Sequence, residues 1–238
     1  MKILALDTSS IVATVAVMED EKLIAEIILN YKKTHSEKLM PMIEEILNHC
    51  EMEPKEIDIF AASLGPGSFT GLRIGMTTVK AMAQALNKPV VGVPTLEGLA
   101  YNVPYADGLI CPIIDAQRDM VYTALYSWDG DGLQEVMEQQ VLSVDELINY
   151  LRDKNEKVIF VGDAVEKFRG KLNETLSTQA NFSPSMVSMP RAASIAQLAR
   201  IKALKDESME ASELVPLYMR KSQAEHQYDE RMKGREMP

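Results

Sequence analysis

One order of apolar patterns occurs twice along this 238-residue chain, and that repetition limits the fold more than any single motif does. The first pass opens with residues 2–8, apolar up to Asp7, then strands at 12–18 and 22–29 that pair across Glu19-Asp20-Glu21. A helix follows with Leu39, Met40, Ile43, Ile46, Leu47 and Cys50 on one stripe. Thr34 and Glu37 have capping-box spacing for it, although Pro41 then falls inside the helix; a start near Pro41 is the alternative. A strand at 57–64, a helix at 70–86 and a strand at 89–93 complete the pass.

The second pass begins at 109–115, again an apolar run that ends on an aspartate, Asp115. Paired strands at 120–127 and 133–141, a helix at 144–151, a strand at 158–162 and a helical segment from Asp163 to about Leu176 repeat the order. Residues 173–188 are polar and proline-punctuated and read as a loop. Pro190 then introduces a helix with Ile195, Leu198, Ala199 and Ala203 inward. Three strands in succession do not begin a single doubly wound sheet. Two β-β-β-α-β-α units in tandem describe instead an α/β, actin-like (ASKHA, ribonuclease H-like) architecture with a nucleotide cleft between its lobes. Pro104 breaks the pattern, so the expected division is an N-terminal lobe 1–103 with the partner-binding helices and a C-terminal lobe 104–238 with a C-terminal helix and tail.

The run Ser63-Leu64-Gly65-Pro66-Gly67-Ser68-Phe69-Thr70-Gly71-Leu72-Arg73-Ile74-Gly75 passes from strand through glycine-rich turn to helix. Free backbone N–H groups at such a place suit an anion, with Gly65, Gly67, Ser68 and Thr70 around it. Asp7-Thr8-Ser9 ends the first strand, where actin-like ATPases place an aspartate near metal and phosphate. The plainer readings are an Asx-turn for Asp7 and close packing for the glycines. The run matches neither GxGxxG nor GxxxxGK[ST]. Its counterpart, Phe160-Val161-Gly162-Asp163-Ala164-Val165-Glu166, has one glycine followed by acids that repel phosphate, so the site reads as vestigial.

A net charge of −10 disfavours independent tight binding to nucleic acid. Cys50 and Cys111 form no CxxC pair, and neither signal peptide nor membrane span is read, which gives the expectation of a cytoplasmic protein with reduced thiols. His35, His49 and His226 have no metal-pair spacing, and His35 reads as a residue at a helix start. No GxSxG elbow is present, and Asp115-Ala116-Gln117-Arg118-Asp119 is either an acid–base site or, more commonly, a charged hairpin turn.

The helix at 70–86 carries two stripes. Leu72, Met76, Val79, Ala83 and Leu86 suit the sheet, and Gly71, Ile74, Thr78, Ala81 and Ala85 would let another helix approach closely. With Leu39, Ile43, Ile46 and Leu47 of the preceding helix, these residues make an expected partner interface. The alternative is that the two helices pack against each other.

Five segments carry a resemblance: residues 3–9, His35-Ser36-Glu37-Lys38-Leu39-Met40-Pro41, the 65–75 glycine run, Asp115-Ala116-Gln117-Arg118, and Pro216-Leu217-Tyr218-Met219-Arg220. On these the chain resembles the TsaB (YeaZ) family nearly end to end. The resemblance implies a non-catalytic subunit in bacterial tRNA modification, paired with TsaD, which carries the metal-binding HxxxH and transfers a threonylcarbamoyl group to the adenosine beside the anticodon in ANN-decoding tRNAs. It further implies TsaE, an ATPase, as a third component, no intrinsic cofactor, ATP and metal on partner subunits, tRNA contact only through the complex, and homodimers when TsaD is absent. The Gln117 position departs from the more usual Asp-Ala-Arg-Arg. Two competing expectations are an ATP-binding enzyme with Asp7 at the metal and residues 65–70 at phosphate, and a peptidase, for which no metal pair or nucleophile–base arrangement is found.

Overall fold

A computed structural model describes residues 1–31, 35–130 and 132–220; Thr34 and His226 lie outside the described residues. The first lobe holds β1 (Lys2–Asp7), β2 (Val12–Glu19), β3 (Lys22–Asn30), α1 (His35–His49), β4 (Ile59–Gly65), α2 (Phe69–Leu86) and β5 (Val90–Pro94). Its sheet runs β3-β2-β1-β4-β5, with β1 antiparallel to β2 and parallel to β4. After α3 (Thr95–Tyr101) the second lobe holds β6 (Leu109–Asp115), β7 (Met120–Asp129), β8 (Gly132–Ser143), α4 (Val144–Lys154), β9 (Val158–Val161), α5 (Ala164–Leu176) and β10 (Ala180–Phe182). Its sheet, β10-β9-β6-β7-β8, has the same connectivity as the first. The fold is therefore the actin-like tandem. Among the described residues no helix is long and apolar enough to cross a membrane.

Period-2 alternation along β1 decides which helix covers which face. Leu4 and Leu6 point into a core with Leu39, Ile43, Ile46 and Leu47 of α1 and Met76, Val79 and Ala83 of α2. That burial also explains why α1 starts at His35 and keeps Pro41 inside. An interior proline costs about 3 kcal/mol, whereas each fully buried aliphatic side chain contributes about 1.5–3 kcal/mol. Five buried side chains, Leu39, Met42, Ile43, Ile46 and Leu47, outweigh one proline that sits on the exposed side. Met40, which periodicity puts on the stripe, is exposed.

The other face of β1, Ile3 and Ala5, needs cover from elsewhere. It comes from α6 (Ala192–Ala203), whose Ile195, Ala196, Leu198 and Ala199 pack on Ile3, Ala5, Ala61 and Val91. Glu26 of β3 fixes the start of that helix. It pairs with Arg191 and accepts from Ala193 N at 3.0 Å, a carboxylate at a helix N-terminus. The inward residues of this helix are those the sequence indicates, but their sheet is the first and not that of the C-terminal lobe. Conversely α3, after the first lobe's last strand, packs Leu96, Leu99 and Ala100 on Ile110, Ala124 and Val161 of the second sheet, while α4 and α5 cover that sheet's opposite face. Each lobe thus lends its final helix to the other.

Two elements escape the sequence reading. Helix α3 has seven residues, too few for a periodic signal. Strand β10 lies inside the expected loop 173–188 and adds three residues parallel to β9, and α5 also runs into that stretch.

Candidate functional site

Between the lobes lies a cleft of about 810 Å³. One wall is Ser9, Ser10 and Ile11 of the β1–β2 turn, His35, and residues 67–70 at the start of α2. The facing wall is residues 114–118, Tyr122 and Asp163, with Arg220 at the rim. The glycine run does form a strand–turn–helix junction. Ser68 caps α2 by accepting from Gly71 N at 3.2 Å, and Asn87 closes the helix in a left-handed conformation.

The glycines of that junction are occupied by the chain itself. Gly67, Gly71 and Gly75 recur at every fourth residue and turn one groove toward the β1–β2 turn. A Cβ on Gly67 would overlap the Ser9 carbonyl, one on Gly71 the Thr8 carbonyl, and one on Gly75 the Thr8 hydroxyl, each well inside contact distance. Thr8 Oγ1 donates to the Gly71 carbonyl at 2.8 Å, and Ser68 N donates to the Ser9 carbonyl at 2.6 Å. Gly65, at φ +110°, packs against the Leu217 carbonyl. Thr8 and Ser9 thus occupy the space beside these glycines, while Gly67 and Ser68 still line the cleft. Thr70 remains exposed at the cleft.

Asp7 is 1% exposed and does not line the cleft. Its Oδ1 accepts from both Ser9 N (2.7 Å) and Ser9 Oγ (2.6 Å), an Asx-turn, and Ser63 bonds the same carboxyl. Burial pushes its pKa above the ordinary 3.8, with these hydrogen bonds opposing the shift. The carboxyl is thus spent on holding the turn, and the placement of Asp7 at a metal–phosphate group is not what the geometry provides. A raised acid pKa stabilises the fold fully below pH 3.8, and that contribution is lost as pH rises through the folded value. Asp7→Asn keeps the Oδ1 acceptor and removes the titration. The expected result is a Tm at neutral pH no lower than wild type and a flatter Tm-versus-pH curve above pH 4; a neutral-pH Tm lowered by several degrees rejects this account.

The second wall is acidic. Asp115 N donates to Asp163 Oδ1 at 3.0 Å, while Gln117 N and Lys167 Nζ hold Asp115 Oδ1 at 3.0 and 3.1 Å. Burial of its carboxyl raises the Asp163 pKa, and the neighbouring Asp115 charge adds to this. Residues 115–119 form a charged hairpin turn, with Gln117, Arg118 and Asp119 all left-handed at φ 63°, 53° and 58°. His35 begins α1 and puts Nε2 2.7 Å from the Ser10 carbonyl. Among the described residues no group of three or more His, Cys, Asp or Glu is placed to hold a metal. Cys111 is buried, and its thiol is pushed up to about 12, which leaves it inert. An anion in the cleft would face Ser68, Thr70, Arg118 and Arg220. Arg220 carries no signal in the sequence beyond its place in the Pro216–Arg220 segment.

The expected interface set divides. Leu39, Ile43, Ile46 and Leu47 are core residues, buried on the sheet-facing side of α1, and so are not surface of the folded chain. Apolar periodicity shows that a face is covered and not by what. Gly71 is buried against Thr8, so bulk there disturbs the fold rather than a docking face alone. Ile74 and Thr78 are half-buried, and α1 and α2 lie side by side over the sheet. Ala81 and Ala85 are exposed, and with Thr70, Arg73 and Thr77 they make the outward face of α2.

A family model described as TsaD: tRNA N6-adenosine threonylcarbamoyltransferase matches residues 22–228. The tRNA threonylcarbamoyladenosine biosynthesis protein TsaB of Bacillus subtilis (strain 168) is 35% identical, covering 98% of this chain and 100% of its own length. The protein of the same description from Haemophilus influenzae is 30% identical over 92% of this chain and 94% of its own. Among solved structures, YeaZ from Pseudomonas aeruginosa superposes with a TM-score of 0.76 at 25% identity, covering 91% of this chain and 99% of that one.

Proposed function

The chain belongs to the TsaB family, and from that premise we propose that it takes part in tRNA threonylcarbamoyladenosine biosynthesis as a non-catalytic subunit that binds and supports a TsaD-type transferase. The observation that carries this reading is the filling of the glycine junction by Thr8 and Ser9, together with the sequestering of Asp7. A junction in which Asp7, Thr8 and Ser9 are all bonded within the protein is suited to holding α2 rigid. What α2 offers outward is a face on which the short side chains Thr70, Thr77, Ala81 and Ala85 lie beside Arg73 and Gln84, a surface that a partner helix can approach.

On this reading the subunit needs no cofactor of its own; ATP and metal are used on the partner subunits, TsaD and TsaE. The net charge of −10 leaves contact with the tRNA phosphates to those partners. The same α2 face would pair two copies when TsaD is absent, in the cytoplasm where tRNA is modified. The alternative, an ATP-binding enzyme using the cleft, is weakened by the engagement of Asp7 with Ser9 and Ser63.

Ala81→Arg tests the docking face. Because Ala81 is exposed in the monomer, the variant is expected to keep the wild-type Tm and to lose at least about thirtyfold in affinity for TsaD from the same source, the size of a hot-spot disruption. Wild-type affinity in a calorimetric titration rejects the α2 assignment.

A further inference from the structure

After α6 the chain turns back along the first lobe. Met209 pairs with Val90 at the edge of β5, Leu214 is buried in the core beneath α1 and α2, and Lys80 Nζ donates to the Ser212 and Leu214 carbonyls at 3.3 and 3.1 Å. Leu217 N donates to the Leu64 carbonyl at 2.8 Å. The Tyr218 ring stacks on Phe69 with centroids 4.3 Å apart and planes 11° from parallel, and Arg73 Nε donates to its hydroxyl at 2.8 Å. Two residues later the segment leaves this lobe: Arg220 Nη1 donates to the Ala116 carbonyl, beside Tyr122.

That last bond crosses the cleft. The crossover at 102–108 leads into the N-terminal end of β6, and Ala116 follows its C-terminal end, about 20 Å away at strand rise. The chain crosses back to α6 beside this point, where Asn102 Nδ2 donates to the Val187 and Met189 carbonyls; lobes joined by two adjacent crossovers can hinge, and a bond at the far end of the strand resists hinging with the longest lever. Ala116 also begins the turn whose next three residues are left-handed. Non-glycine residues in that region are strained and persist only where their surroundings hold them.

We propose that residues 214–220 form a clasp across the cleft, anchored on the first lobe by Leu217 and Tyr218, whose Arg220 sets the separation of the lobes and holds the 117–119 turn. The clasp involves neither ligand nor partner; its anchor shares Arg73 with the outward face of α2, and its test reads the chain alone.

Hydrogen exchange on the full chain tests it. In Arg220→Ala the Ala116 and Met120 amides, bonded within the turn, are expected to exchange about tenfold faster, while amides of β1 and β6 keep their protection. Tyr218→Ala, which frees the anchor, gives the same direction. Arg220→Lys keeps one donor and recovers part of the protection. Small-angle scattering of Arg220→Ala shows a larger radius of gyration. Exchange within twofold of wild type in both alanine variants, an unchanged radius, no difference between lysine and alanine at 220, or β1 and β6 amides that speed up equally each overturns the clasp.

Discussion

Gly71→Ala is expected to destabilise the protein by about 3 kcal/mol or more, at the upper end for overpacking. The reason is that the added methyl meets a carbonyl, Thr8 O, rather than a side chain that can rotate away. Thr8 is fixed in turn by its own bond to the Gly71 carbonyl and by the Asp7–Ser9 turn beside it, so neither side yields cheaply. For a chain of this length the corresponding fall in Tm is about 6–12 °C, from roughly 2–4 °C per kcal/mol. Thr77→Ala, on the exposed side of the same helix, provides the control and is expected within about 0.5 kcal/mol of wild type. A Gly71→Ala Tm within 2 °C of the control would falsify the close approach described here.

A fragment ending at residue 103 is expected not to fold alone. It keeps all five strands of the first sheet yet lacks α6, so Ile3, Met18, Ile59, Val91 and Val93 lose their cover. At about 1.5–3 kcal/mol for each large apolar side chain, the loss is comparable with the whole stability of a typical domain, about 5–15 kcal/mol. Residues 104–238 lack α3 and leave Ile110, Ala124 and Val161 uncovered in the same way. Circular dichroism of each fragment should show no cooperative melt, whereas co-expression of the two should recover a single transition. A cooperative melt of residues 1–103 by themselves shows that the exchanged helix is dispensable.

The two sheets were legible because their central strands are buried on both faces and bounded by turn residues, as at 2–8 and 109–115. Helices α1 and α2 were legible from their stripes. The destination of α6 was not, since periodicity in Ile195, Leu198 and Ala199 reports a buried face without naming its sheet. The same limit applies to four of the expected interface residues: Leu39, Ile43, Ile46 and Leu47 are apolar because their own sheet needs them. Within the cleft, the glycine run left anion binding and close packing both open, and only the structure shows Gly67, Gly71 and Gly75 set against Thr8 and Ser9. Leu217, Tyr218 and Arg220 had no periodic sign. Their anchors include backbone carbonyls, Leu64 and Ala116, which no side-chain pattern encodes.

The reciprocal loan of α3 and α6 has the form of a domain swap closed within a single chain. Two separate lobes could complete each other only by association, at a cost set by dilution. Joining them makes each helix an intramolecular ligand whose effective concentration is fixed by the linker. The completeness of both sheets is therefore independent of how much of the protein is present, and the order of α2 does not depend on self-association.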